Sequence, residues 1–298
     1  MINTENMVDN QKLAVKDGVA YFNISHCEPL FQLPNFFNLI ATSDYLFNHS
    51  GPQFSVRNHI KSIPNLNSTS SYLADHTMYV IHDLLKSSEQ EIEQVYISTH
   101  RKVVVRNPIG TSASNYPGMF IAHSDALNER DLLSDKKSRF LIMRPMIFPD
   151  GIFGQYARKH SQKDFLNLLE LAIQADVLCK KQVNDFAATK LFFPGISLGL
   201  LPKETILSLF EPICRFIECT DSLKFQPEFP DDPYQSRARS FFIERLLSFL
   251  FLSNFDNQKT VFKRSKENSI SLSAKEFGFC INFTAEKNSA AVYVHGHA

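Results

Sequence analysis

Apolar residues in the first half of the chain fall into short blocks separated by turn-forming residues, a pattern typical of strands that alternate with helices. The blocks Val19–Ile24, Gln94–Ser98 and Arg139–Arg144 are apolar and predict three buried strands. Between the first two, Tyr72–Lys86 repeats apolar residues at spacings of three and four, which predicts an amphipathic helix. This half of the chain therefore favours strands of a mainly parallel sheet.

Longer helical repeats dominate the second half of the chain. The segments Lys163–Cys179, Pro202–Cys219 and Ser236–Asn254 each predict a helix, and Leu191–Leu200 and Phe277–Phe283 predict strands. Strands that alternate with helices and then give way to helices predict an α/β fold with a mainly parallel central sheet and a helical C-terminal portion.

The same pattern suggests one large domain. We expect a flexible leader at residues 1–18 and a single domain over residues 19–298, whose C-terminal strands and tail begin at about residue 256. Ala290–Val294 would be a last strand, and His295 and His297 are expected to lie in a frayed tail.

Composition narrows the class of protein. Lys+Arg and Asp+Glu both total 31, so the formal charge is zero, which disfavours a general nucleic-acid binder. The five cysteines form no C-x-x-C pair and predict free thiols in a reducing compartment, so we expect a cytoplasmic protein. The most apolar run, Phe241–Leu252, is too short and too charged to span a bilayer. Neither a P-loop, a G-x-G-x-x-G motif nor a G-x-S-x-G elbow is present.

Two polar segments directly follow predicted strands, where open α/β sheets bind their ligands. Thr99, His100, Arg101 and Lys102 follow the strand Gln94–Ser98. The arginine fork and the lysine charge could hold a diphosphate, although a solvated basic turn would look the same in sequence. His26 follows the first strand and could hydrogen-bond a base or a sugar, or be structural.

Further candidate residues lie on predicted helices. Tyr156, His160 and Asp164 are four residues apart, so we expect them to share one helical face, either as a wall of a site or as an exposed surface. Glu244 and Arg245 interrupt the apolar stretch FFIERLL, and such charges are expected to be paired or to project into a site.

A metal site has weaker support in the sequence. Asp75, His76, His82 and Asp83 lie on one predicted helix, but their spacing does not match the H-E-x-x-H pattern, so no metal ligand is assigned.

The order of these motifs resembles a family of presumed bacterial glycosyltransferases of capsule and O-antigen loci, once classed as a domain of unknown function. In that family a strand ends in a His-Lys signal, a helix begins Tyr-x-Glu-Leu-Thr, and a later strand leads to His-Tyr-Arg-Arg-Tyr. Here Ile24–His26 follows the first strand, Tyr72–Thr77 stands at the helix start with Asp75 in place of Glu, and Thr99–Lys102 follows the later strand.

The resemblance continues to about residue 255. The family's Tyr…His…Asp-Leu helix is similar to the segment that carries Tyr156, His160 and Asp164. Its closing Arg…Gly-Phe…Glu-Arg-Leu-Leu helix is similar to Arg237–Leu247.

The resemblance implies a GT-A-like fold that binds a nucleotide-sugar donor and a glycan acceptor, with peripheral attachment to the inner face of the membrane left open. It assigns donor binding to His26, Thr99, His100, Arg101, Lys102, Tyr156, His160 and Arg245. The base for the acceptor hydroxyl would be Asp75, Asp164 or Glu244. Many such enzymes hold Mn²⁺ or Mg²⁺ through Asp-x-Asp, a motif that this chain lacks. We therefore expect Arg101 and Lys102 to neutralise the diphosphate, with or without a metal.

Thr99 and His100 replace the family's His and Tyr, which leaves other functions open. One is a catalytically inactive protein of the same fold that binds a glycan or a nucleotide. Another is a glycosyltransferase effector that modifies proteins, which the polar leader permits. A hydrolase with paired carboxylates lacks a sequence-local pair.

Overall fold

The computed structural model of the protein describes residues 12–61, 63–67, 73–113, 118–133, 138–257, 263–264, 270–271 and 276–285. Most of the predicted leader, Tyr72 and the predicted strand Ala290–Val294 lie outside these residues. The strands are β1 Val19–Ser25, β2 Phe37–Ala41, β3 Gln53–Ser55, β4 Gln94–Thr99, β5 Lys102–Val105, β6 Thr111–Ser112, β7 Met119–His123, β8 Met146–Ile147, β9 Leu191–Phe192, β10 Gly199–Pro202, β11 Lys263–Arg264, β12 Ile270–Ser271 and β13 Phe279–Thr284. The α-helices are α1 Val56–Lys61, α2 Thr77–Ser87, α3 Glu129–Leu132, α4 Gly151–Ala157, α5 Gln162–Gln174, α6 Val183–Ala188, α7 Lys203–Ser222 and α8 Ala238–Asn257.

The central sheet combines a parallel half with a mixed half. Its strands run in the order β3-β2-β1-β4-β5-β13-β7-β6, and β10 also pairs with β4. Strands β3, β2, β1 and β4 are parallel, and β13 is parallel to β7. Strands β5 and β10 run antiparallel to β4. The α/β class, with a mainly parallel central sheet and a helical C-terminal portion, is confirmed.

The sheet is buried on both faces because its central strands are apolar at successive positions. In β1, Ala20 and Phe22 pack under the helices, whereas Val19 and Tyr21 join a smaller core on the opposite face. The period of two along a strand sends neighbouring side chains to opposite faces, so a continuous apolar run serves both cores.

Helices α2, α7 and α8 each have one end at the same side of the sheet. Helix α2 connects β3 to the parallel strand β4, so α2 begins at the carboxyl end of these strands. Helix α7 lies antiparallel to α2, since His76 contacts Asp221 at one end and Lys86 approaches Glu211 at the other. Helix α8 begins beside Asp75, because Arg239 is ion-paired with it. Polar side chains from three helix ends therefore meet near the carboxyl end of the sheet.

Several element boundaries differ from the sequence expectation. Arg139–Arg144 is not a continuous strand, because only Leu141 and Ile142 form bridges there, to Leu200 and Phe277. Leu191–Leu200 divides into β9 and β10. Strand β10 begins at Gly199, where only glycine fits, since its φ is +92° and a side chain there would clash with the carbonyl oxygen of Leu141.

The helices also shift at their ends. The helix expected over Tyr72–Lys86 begins at Thr77, and the one expected to reach Cys179 ends at Gln174. Pro202 precedes α7 and belongs to β10 rather than to the first turn of the helix. Across the described part of the chain, no helix is both long enough and apolar enough to span a bilayer.

Candidate functional site

The segment Thr99–Lys102 forms the tight turn that joins β4 to β5. Thr99 pairs with Lys102, so His100 and Arg101 occupy the two central positions. The Thr99 hydroxyl accepts a hydrogen bond from the Lys102 N–H at 3.1 Å, and the His100 N–H donates to the Ile24 carbonyl at 3.0 Å. These bonds fix the turn at the carboxyl end of β4, directly beside the carboxyl end of β1.

Two histidines that are far apart in sequence meet at this point. The rings of His26 and His100 lie edge to face with their centroids 4.4 Å apart. His26 is exposed and His100 is partly buried. The Leu30 N–H donates to the His100 carbonyl at 2.7 Å, which ties the loop after β1 to the turn. The structure therefore brings together the two strand-end segments that the sequence selected.

The charge state of His100 follows from its surroundings. Burial, and then the neighbouring His26, Arg101 and Lys102, lower the pKa of His100 to about 4. The imidazole of His100 is therefore neutral at physiological pH and can accept a hydrogen bond or donate a lone pair.

The last described strand holds the cationic part of the turn in place. The Phe283 N–H of β13 donates to the Arg101 carbonyl at 2.8 Å, and Lys102 pairs with Asn282. The side chains of Arg101 and Lys102 are both partly exposed. We use the name cationic turn for Thr99–Lys102 together with His26.

The expectation that Tyr156, His160 and Asp164 share one helical face is wrong. Helix α4 ends at Ala157 and α5 begins at Gln162, because the Ser161 side chain caps α5 by accepting the Asp164 N–H at 3.1 Å. The residues are nevertheless close in space. The rings of Tyr156 and His160 lie 4.7 Å apart, and His160 stacks on Phe241 at 4.1 Å.

Arg245 lies inside this packed region with an exposed fraction of 4%. It donates to Gln155 at 3.0 Å and to the Phe241 carbonyl at 2.6 Å, and its guanidinium lies 5.1 Å from the ring centre of Tyr156. Burial lowers the pKa of Arg245. These contacts satisfy Arg245 within the protein, so its role in donor binding stays a prediction.

The three candidate bases occupy different environments. Asp75 is buried and accepts from Arg239 Nε at 2.9 Å and from the Ser240 hydroxyl at 2.6 Å. Glu244 is partly exposed and accepts the Gly195 N–H at 3.2 Å.

Asp164, the third candidate, has an exposed fraction of 1%. Its Oδ1 accepts the Glu228 N–H at 2.9 Å, while its Oδ2 has no hydrogen-bond partner within the described residues. Burial is the main cause that raises the pKa of Asp164, and the charge of Glu228 adds to it. Asp164 therefore lies in a site that disfavours its ionised form.

Asp75 belongs to a buried ionic group that we call the Arg239 cluster, formed by Asp75, His76, Asp221 and Arg239. Arg239 bridges both carboxylates, and His76 Nε2 lies 2.7 Å from Asp221. The sequence pointed to Asp75 and His76, but Asp221 lies 145 residues from His76 along the chain and carries no local signal that links them.

The Mn²⁺ or Mg²⁺ site that the resemblance left open stays a prediction. Asp232, in the proline-rich loop before α8, accepts the N–H groups of Tyr234 at 2.8 Å and Gln235 at 2.9 Å through its Oδ1. Within the described residues, the group whose ligand atoms could share one ion consists of His26, Cys27 and His100. Nitrogen and sulfur donors suit neither Mg²⁺ nor Mn²⁺.

The protein has a mixed α/β fold with a mainly parallel central sheet and a helical C-terminal portion. The structure is similar to the solved apo structure of the bifunctional glycosyltransferase WbbM, with a TM-score of 0.53 and 8% sequence identity. The match covers 88% of this chain and 45% of the WbbM chain, so the protein spans less than half of that neighbour. At this identity the likeness concerns the fold. Neither a protein-family model nor a curated protein matches the sequence.

Proposed function

We propose that the protein is a glycosyltransferase that moves a sugar from a nucleotide-sugar donor to a saccharide acceptor. The observation that carries the proposal is the position of the cationic turn. It lies at the carboxyl ends of β1 and β4, where α/β sheets bind ligands, in a fold similar to that of a glycosyltransferase.

The cationic turn has the chemistry that a leaving nucleoside diphosphate requires. Arg101 can form bidentate hydrogen bonds to phosphate oxygens, and Lys102 adds a second positive charge. Cations that face a departing diphosphate stabilise the charge that develops in the transition state. His26 and His100 lie beside these cations at the same strand ends.

Glu244 is the strongest of the three candidates for the base that activates the acceptor. Asp75 is held by Arg239, and Asp164 is buried where its ionised form is disfavoured. Glu244 is partly exposed, and within the described residues its carboxylate accepts one backbone hydrogen bond, from the Gly195 N–H. The variant Glu244→Gln should bind the donor normally and lose transfer.

The first test is a thermal-shift screen with nucleoside diphosphates and nucleotide sugars, since a ligand that binds the native state raises its Tm. The double variant Arg101→Ala/Lys102→Ala should weaken binding of the active nucleotide by about tenfold or more, because each charge-assisted hydrogen bond contributes about 1.5–3 kcal/mol.

The matched control removes two cations elsewhere. Lys180 and Lys181 are both exposed, so Lys180→Ala/Lys181→Ala has the same change in net charge and should leave the shift unchanged. Equal nucleotide affinity in wild type and in the Arg101/Lys102 variant would remove the basis of the proposal.

Asp75 is paired with Arg239 and Asp164 is buried, which favours a second candidate, an inactive protein of the same fold that binds nucleotides or glycans. Donor hydrolysis and transfer, measured with any nucleotide sugar that gives a shift, separate the two. Turnover that is lost in Glu244→Gln supports the enzyme, whereas binding without turnover supports the binding protein.

A further inference from the structure

His26, Cys27 and His100 place three metal-ligating atoms at one point of the surface. One ring nitrogen of each histidine and the Cys27 sulfur all lie within 4.8 Å of one another. Cys27 is a free thiol. We propose that these residues form a Zn²⁺ site beside the cationic turn.

The donor set selects the metal. Two imidazoles and a thiolate are the ligands that Zn²⁺ takes in proteins, whereas Mg²⁺ and Mn²⁺ prefer carboxylate and carbonyl oxygens. Binding requires the ionised sulfur, so the Cys27 thiol releases its proton to solvent as the zinc–sulfur bond forms. No electron transfer accompanies this step.

Small side-chain movements complete the geometry. In a tetrahedral zinc site the ligand atoms lie roughly 3.3–3.6 Å apart, from bond lengths of about 2.0–2.3 Å. His26 is exposed and Cys27 is partly exposed, so both can rotate towards the ion. His100 is held by its backbone hydrogen bonds to Ile24 and Leu30, and it supplies the fixed corner of the site.

Three protein ligands leave a fourth position on the ion, as in zinc sites that bind water or a substrate. Arg101 and Lys102 adjoin His100, and their charge disfavours a bare dication but attracts an anion. The fourth ligand is therefore an anionic oxygen, and where the proposed function holds, this oxygen belongs to the donor diphosphate.

Cobalt tests the site with the metal alone. The protein, freed of metal with a chelator and kept reduced, is titrated with Co²⁺ while its absorption spectrum is recorded. A thiolate–cobalt charge-transfer band at one Co²⁺ per chain is expected, and Zn²⁺ should bleach it.

Matched variants identify the ligands. Cys27→Ser should abolish the charge-transfer band, and His26→Gln and His100→Gln should each weaken cobalt binding by roughly tenfold or more. Cys179→Ser, which removes an exposed thiol elsewhere, should keep the wild-type spectrum. Circular dichroism and thermal melts in chelator verify that each variant is folded.

The outcomes are distinct from those of the nucleotide screen. A wild-type protein without the band, or a band that survives in Cys27→Ser, overturns the zinc site whatever the nucleotide result. A band with the expected variant pattern, in a protein that binds no nucleotide, supports the zinc site and contradicts the transferase.

Discussion

The cationic turn and the Arg239 cluster each combine histidine with arginine, but the fold exposes the charges of one and buries those of the other. In the turn, His26 is exposed and Arg101 and Lys102 are partly exposed. In the cluster, the side chains of Asp75 and Asp221 have exposed fractions of 6%, and Arg239 joins them both. The cations of the turn are partly exposed to solvent, whereas the charges of the cluster are paired with one another inside the protein.

This difference separates a stabilising role from a ligand-binding role, although the two groups of residues look alike in sequence. Buried charges must be paired, and breaking such a pair leaves an uncompensated charge in the protein interior. Partly exposed cations at a strand end cost little to fold, and their positive charge attracts anions from solution. We therefore expect changes in the cluster to act on stability and changes in the turn to act on ligand binding.

The largest expected effect is the loss of Arg239. Arg239→Ala leaves Asp75 and Asp221 buried without their shared cation, so the free energy of unfolding should fall by about 3–5 kcal/mol. Urea denaturation at neutral pH measures it. Arg158→Ala is the matched control, because its ion pair with Asp150 is more than half exposed and should contribute at most about 1 kcal/mol. Equal losses in the two variants would erase the contrast between buried and exposed arginines.

A smaller effect is expected in the acid stability of the cluster. Burial opposes ionisation of Asp221, but the hydrogen bond from His76 and the charge of Arg239 outweigh it and lower the pKa of Asp221 to about 2, from an ordinary 3.8. A depressed pKa stabilises the native state above pH 3.8, and this contribution is lost as the pH falls towards 2. The contribution at neutral pH is on the order of 2 kcal/mol.

Asp221→Asn should therefore be less stable than wild type at neutral pH, and the gap should narrow on acidification. Denaturation curves at several pH values from neutral to acid measure the difference. A gap that is constant with pH would show that Asp221 is not ionised in the way that the cluster requires.

The smallest effect is expected at Asp164. Its pKa is raised by burial, so its ionised form destabilises the native state at neutral pH, and the penalty disappears as the pH falls through the raised pKa. Asp164→Asn keeps the oxygen that accepts the Glu228 N–H and should raise stability by up to about 1 kcal/mol at neutral pH. The exposed residue Asp231 provides the control, Asp231→Asn. Loss of sugar transfer without loss of donor binding would instead make Asp164 the base.

The sequence predicted those parts of the fold that depend on local pattern. Strands β1 and β4 and the bodies of α5, α7 and α8 follow from continuous apolar runs and helical repeats. The meeting of His26 with His100 was also accessible, because parallel neighbouring strands bring their carboxyl ends together.

The remaining features depend on contacts between distant segments. Local pattern does not reveal that β13 inserts between β5 and β7 or that β10 pairs with β4. It also does not reveal that α4 ends at Ala157 and that Ser161 caps a new helix, so that Tyr156, His160 and Asp164 do not share one helix. Cys27 gained significance only when the structure placed it beside two histidines.

The position of β13 has a consequence for how the protein is made. Strand β13 lies between β5 and β7 and donates the hydrogen bond that holds Arg101, although it is synthesised more than 150 residues after β7. A nascent chain on the ribosome can form the parallel half early, but the gap in the sheet closes only after Phe279–Thr284 has emerged. Proteolytic loss of this segment would expose two unpaired strand edges, which promote aggregation.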